Sequence, residues 1–174
     1  ALGAKGFCYW LFRQQRTGCE ISHGSLISTW GKPTIGYAEV LEVEKTRKEI
    51  EPIFIKTKTV QAEFAITYSD RAKVFLTTEN HKNLDYRSIM TDFNTDVLEL
   101  GIHRDLINEI EKLEGYKVLF TPFMPYVSEE YLQCAKKFAE QGGIWIIGPL
   151  TGGRTKEHTV HTNAALGNIE KIAG

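Results

Sequence analysis

The stretch YKVLFTPFMPYVSEEYLQCAKKFAEQGGIWIIGP, Tyr116–Pro149, decides the fold. Tyr116–Thr121 is an almost continuous apolar run stopped by Pro122, the pattern of a strand buried on both faces. Ser128 is a good helix N-cap, and Glu129 and Glu130 follow in the first turn, where the helix dipole favours acids. Tyr131, Cys134, Ala135 and Phe138 then recur at i, i+3, i+4 and i+7, one apolar stripe of a helix. Gly142-Gly143 ends that helix, and Ile144–Ile147 reads as a second buried strand closed by Gly148-Pro149. Strand, helix, strand over this length predicts a parallel pair joined by a crossover.

The same rhythm extends backwards. Ala62–Ser69 reads as a strand running into a turn or helix start at Ser-Asp. Tyr86 to about Leu100 is helical, with Ile89, Phe93, Val97 and Leu100 stepping by three and four. His103–Asn108, HRDLIN, fits a short strand and a helix continuation equally. Residues 62–174 are therefore expected to form one α/β unit, an open, largely parallel sheet with helices on its faces.

Residues 1–54 read differently. GFCYWLF, Gly6–Phe12, has the pattern of another strand buried on both faces. Pro33 suits the first turn of a helix that runs from Thr34 to Glu51, with Tyr37, Val40 and Leu41 on one face. Glu44 is placed to pair with Lys48, and Pro52 should end or kink the helix. One strand–loop–helix is too small to fold alone. It needs completion by further chain or by docking.

Composition narrows the function. Apolar residues make up 42% and charged residues 25%, so a packed core is expected rather than disorder. The net charge of −1 argues against a general nucleic-acid or anionic-membrane surface. Residues 1–60 carry 9 Lys and Arg against 6 Asp and Glu, whereas the rest carry 12 against 16, a change that falls near residue 60. Cys8, Cys19 and Cys134 have no paired spacing, which suggests reduced thiols and a cytoplasmic setting. No membrane span or signal core is visible. A start without Met and an end at EKIAG point to a piece of a longer protein.

The chemistry gathers at YWLFRQQRTGCEISHG, Tyr9–Gly24. On a helix, Glu20-Ile21-Ser22-His23 could supply two ligands to a di-metal site, but such sites need more carboxylates. Gly18 and Gly24 favour a loop. There, Glu20 and His23 offer acceptors and donors that can converge on a polyhydroxylated ligand. The plainer reading is a Glu–His pair capping backbone in a surface loop. Arg13, Gln14, Gln15 and Arg16 make a strand end as polar as the ligand-facing rim of an α/β barrel, though they could instead only brace the loop. Gly148–His158 lacks both the phosphate-loop ending and the dinucleotide spacing. His158 and His161 are weak as metal ligands, and no nucleophile elbow exists.

Taken together, these residues resemble glycoside hydrolase family 42 β-galactosidases. Tyr9-Trp10, Arg13-Gln14, Glu20-Ile21-Ser22-His23 and Trp30-Gly31-Lys32-Pro33 match the last strand–loop–helix of that family's catalytic barrel. EGYKVLFTPFMPYVSEE, EQGGIWIIGPLTGGRTKEHTVHTNAALG and the strand at Phe64–Tyr68 match its middle, trimerisation domain. The resemblance implies the end of a (β/α)8 barrel over 1–54 and a flavodoxin- or amidotransferase-like trimerisation domain over 55–174. It implies a β-galactoside substrate in the intact enzyme, a homotrimer, and no cofactor, metal, nucleic acid or membrane. Glu20 and His23 become residues that bind the galactosyl group. The family's two catalytic glutamates lie on earlier strands and match nothing in residues 1–174, so this piece is expected to be inactive alone. Phe12 stands where many members have Trp. A self-standing oligomerisation module, or an α/β module with its own small ligand, is the alternative.

Overall fold

A computed structural model describes residues 6–79, 84–149 and 151–173. The chain divides into two units, Ala1–Val60 and Gln61–Gly174.

In the second unit, four parallel strands stand in the order β2-β1-β3-β4. They are β1 (Phe64–Tyr68), β2 (Arg104–Asn108), β3 (Val118–Thr121) and β4 (Ile144–Ile147). Register places Phe64 beside both Arg104 and Val118, and Val118 beside Ile144. His103–Asn108 thus resolves as a strand, because β1 has a free edge on that side that its backbone can satisfy. Helices α2 (Asp70–Thr78), α3 (Tyr86–Glu99) and α4 (Glu129–Glu140) connect or follow the strands.

The two faces of the sheet are covered by different helices, as side-chain alternation requires. Ala65, Ile107 and Leu119 point to the face where α4 packs with Tyr131, Ala135 and Phe138. Phe120 points to the opposite face and meets the ring of Phe93 on α3 edge-on at 5.3 Å. The predicted apolar stripe of α4 is its buried stripe except for Cys134, which is exposed.

The helix ends are set locally. The Ser128 hydroxyl accepts from the Tyr131 N–H at 3.1 Å, and Ser69 and Asp85 cap α2 and α3 in the same way. Hydrogen bonds to Ser88 hold the Asp85 carboxyl below the usual carboxylate range. At the far end of α4, Gly142 adopts φ +94° while its N–H bonds to the Ala139 carbonyl and that of Gly143 to Phe138. Only glycine adopts that turn without strain.

Two expectations for this unit need amendment. β4 is an edge strand: Ile144 and Ile146 are 59% and 43% exposed, and only Trp145 and Ile147 turn toward α4. Four consecutive apolar residues do not distinguish an edge from a centre, since the distinction depends on neighbours. Helical spacing had also placed Leu100 within α3, but the helix ends at Glu99 and Leu100 is 74% exposed beside Gly101 at φ +70°.

The first unit departs further from its pattern. Gly6–Phe12 makes no ladder strand, and Phe7, Trp10 and Phe12 are each more than half exposed. A strand needs a neighbour to satisfy its backbone, and here only the returning chain serves. Residues 11–14 bond to 24–27 through a parallel bridge, Arg13 to Ile27, and Ile27 bridges antiparallel to Pro33. Pro33 is therefore extended backbone rather than a helix start; it has no N–H to lose in that position. Helix α1 begins at Tyr37 after Gly36 and continues past Pro52 to Lys56. The fixed φ of proline is itself helical, so an exposed last turn continues beyond it. No residue of α1 is buried. Instead Arg47 bridges Glu44 at 2.6 Å and Glu51 at 2.8 Å, while the expected Lys48–Glu44 pair is looser at 3.6 Å.

Candidate functional site

The loop between Arg13 and Thr34 is assembled by three consecutive side chains. Arg13 donates through Nη2 to the Thr29 carbonyl at 3.0 Å. Gln14 donates to the Ile21 carbonyl at 3.1 Å, and Gln15 donates to Glu20 Oε2 at 2.7 Å. Strand alternation fails as a guide here, because the chain leaves extended geometry after the single bridge at Arg13. A polar strand end thus becomes a set of braces, each holding a different point of the loop. Arg13 braces the loop in this arrangement.

The Glu-x-x-His segment is a loop, not a helix, and Gly18 makes this possible. Its φ of +97° reverses the chain, after which Ile21 N–H bonds to the Gly18 carbonyl and His23 N–H to that of Glu20. The far side is closed by Thr34, whose hydroxyl donates to the Ser25 carbonyl at 2.6 Å, and by Ser28, buried, which bonds Lys32.

Glu20 is half-buried and His23 is exposed. The turn joins their backbones, with the His23 N–H 3.0 Å from the Glu20 carbonyl. His23 lines a broad hollow of about 530 Å³ together with Tyr9, Trp10, Leu26 and Val40, and Glu20 is not part of its wall. Tyr9 and Trp10 had read as buried strand residues. Their place beside His23 carried no signal in the sequence, because it follows from the chain reversal at Gly18, eight or nine residues further on. The Trp10–Leu11 peptide is cis.

The α/β unit has its own place where a ligand could sit, the carboxyl ends of β1 and β3, between which the strand order reverses. Side chains fill the layer beside it. The Tyr131 hydroxyl lies 2.9 Å from Thr67 and 2.7 Å from Thr121, and Trp145 donates to Thr121 at 2.9 Å. Burial pushes the Tyr131 phenol up to about 12. Gly148 then crosses so close to Pro122 that a Cβ would lie 2.1 Å from its carbonyl oxygen. A smaller hollow of about 290 Å³ near the start of α4 includes Arg154 and His161. Both are engaged, Arg154 with Glu79 at 3.2 Å and His161 with the Gly152 carbonyl at 3.0 Å.

His158, with a positive φ, packs edge-on against Phe75. Among the described residues, no group of three His, Cys, Asp or Glu could hold a metal, and no helix is long and apolar enough to cross a membrane.

Comparison with known proteins bears on both units. Residues 62–174 match the family described as the β-galactosidase trimerisation domain, and residues 1–50 match the β-galactosidase family itself. The chain is 63% identical over its full length to a Bacillus subtilis protein named β-galactosidase YesZ, and 55% identical to one of the same name from Bacillus licheniformis. It spans 26% of the length of each of these relatives. Among solved structures, the β-galactosidase from Bacillus circulans sp. alkalophilus matches with a TM-score of 0.80 at 21% identity, over 94% of this chain and 24% of that one. The enzyme from Halorubrum lacusprofundi matches at 0.79 and 22%, with the same coverage. These two likenesses concern the fold. The family matches go further: residues 62–174 are a β-galactosidase trimerisation domain, and the chain belongs to the glycoside hydrolase family 42 β-galactosidases.

Proposed function

We propose that this chain supplies a galactose-recognition loop and the assembly domain of a retaining β-galactosidase that removes terminal β-D-galactosyl residues. The observation that supports this best is the full-length match at 63% identity to a protein named β-galactosidase. The divisions proposed are the end of a (β/α)8 barrel over 1–54 and the trimerisation domain over 55–174, with three copies assembling and the free, exposed cysteines suited to the cytoplasm.

In this reading Glu20 accepts two hydroxyls of the galactosyl group and His23 takes a third. Retaining hydrolysis needs two carboxylates about 5 Å apart across the glycosidic bond. Glu20 is the only acid in residues 1–38, so this loop cannot supply the pair. It holds the sugar while carboxylates elsewhere in the intact enzyme act. The aromatic side chains exposed at Phe7, Trp10 and Phe12 are the surface that the rest of a barrel would cover.

The test is hydrolysis of a chromogenic β-galactoside by this chain and by the full-length protein, with the mass of each measured in solution. Turnover is expected from the full-length protein alone, lost in Glu20→Ala without change of assembly. Turnover by the isolated chain would refute the placement of the catalytic carboxylates.

A further inference from the structure

We propose that Gln15 is the positioning residue of the Glu20 carboxylate, setting which of its oxygens faces the sugar. This rests on the galactose-binding reading of Glu20 and goes beyond it, because it names how the loop aims that group. The Gln15 amide donates to Glu20 Oε2 at 2.7 Å in a partly buried setting, the short distance of a hydrogen bond to a charged acceptor. Among the described residues, Gln15 is the carboxylate's hydrogen-bond partner and no cation pairs with it.

The choice of partner carries the argument. Two arginines, Arg13 and Arg16, flank the glutamines, and Arg13 is turned to the Thr29 carbonyl instead. An arginine on Glu20 would bind both oxygens through a fork and neutralise the charge. A single neutral amide occupies one lone pair and leaves the full negative charge with the other oxygen available to hydroxyl donors. The turn around Gln15 is braced on either side of Glu20. Its neighbour Gln14 anchors the Ile21 carbonyl, next to Glu20, and the Ile21 N–H bonds to the Gly18 carbonyl. A loop built only to brace itself gains nothing from sparing the second oxygen. A loop that receives sugar hydroxyls does.

The experiment uses the full-length protein carrying Gln15→Met, Gln15→Glu, Glu20→Ala, and Gln15→Met with Glu20→Ala. Galactose binding by titration calorimetry and Tm are read for each, with KM and kcat on a chromogenic β-galactoside for the variants that turn over; Gln15→Asn replaces Gln15→Met if that variant does not assemble. Gln15→Met is expected to weaken galactose binding by about ten-fold, the size of one lost hydrogen bond to a charged group, mainly through KM and with unchanged Tm. The double variant should bind no worse than Glu20→Ala alone, since Gln15 acts through Glu20. Gln15→Glu should be the weaker of the two single Gln15 variants at pH 8, and should recover as the pH falls and one of the facing carboxyls takes a proton. Galactose binding within two-fold of wild type in Gln15→Met, beside a large loss in Glu20→Ala, would overturn the role of Gln15 and leave that of Glu20 standing. Losses that add in the double variant would also overturn it. Unchanged binding in Glu20→Ala would remove the role of Glu20 itself.

Discussion

The two units of this chain reach order by different means. Residues 61–174 build a sheet whose central strands are shielded by helices, with Ala65, Ile66 and Leu119 wholly excluded from solvent. In residues 1–60 only Leu11 and Ser28 are buried among the described residues, and side chain–backbone hydrogen bonds set the conformation. Both regions contain aromatic and aliphatic runs that look alike as strings of letters. Burial therefore follows from the number of neighbours an element finds, not from its own hydrophobicity.

The contrast can be broken most directly in the cores. Leu119→Ala should cost about 2–5 kcal/mol by leaving a cavity at the centre of the sheet. Phe7→Ala, 62% exposed, should stay within about 0.5 kcal/mol. Urea unfolding of the chain measures both, and comparable losses would mean that the N-terminal run is packed after all.

A smaller effect, about 1–3 kcal/mol, is expected for Tyr131→Phe, which strips the buried Thr67 and Thr121 hydroxyls of a shared partner. The same residue predicts a pH response. Burial raises the phenol from its usual 10 to about 12, so the folded state favours the neutral form. Its contribution is complete below pH 10 and disappears as the pH rises through about 12, and Tyr86, also raised to about 12 by burial, follows the same sign. Stability measured between pH 9 and 12 should fall less steeply in Tyr131→Phe than in wild type.

Removing the α4 cap is smaller again. Ser128→Ala should cost about 1 kcal/mol, seen as a lower urea midpoint. Smallest is the ion-pair ladder of α1. Hydrogen bonding to Arg47 holds Glu44 from its usual 4.5 down to about 2, so its contribution is present above pH 4.5 and is lost as the pH falls through about 2. An NMR titration should show Glu44 returning toward 4.5 in Arg47→Ala, with no resolved change in the urea midpoint. That outcome would sharpen the comparison, because it would show a helix held locally and independent of any core.

Much of the α/β unit was legible in the sequence because its signals are short-range. The caps at Ser69 and Ser128 and the stripe from Tyr131 to Phe138 each depend on residues within a few turns of one another. The loop was legible in part. Its glycines marked a reversal, and the mixture of glutamine, arginine, glutamate and histidine marked polar recognition. Which brace holds which point was not legible, since Gln15 to Glu20 and Arg13 to Thr29 are geometric facts of a particular turn.

By itself the sequence determined the strand–helix alternation, the family and the identity of the polar groups on offer, because periodicity, capping and motif spacing are written in consecutive residues. Only the tertiary structure decided that β4 lies at an edge, that His103–Asn108 pairs with β1, that Gly6–Phe12 makes no ladder, and that Glu20 answers to Gln15. Each of these depends on which backbone or side-chain partner arrives from elsewhere. Hydrogen bonds are satisfied in three dimensions, and a one-dimensional pattern does not specify the neighbour.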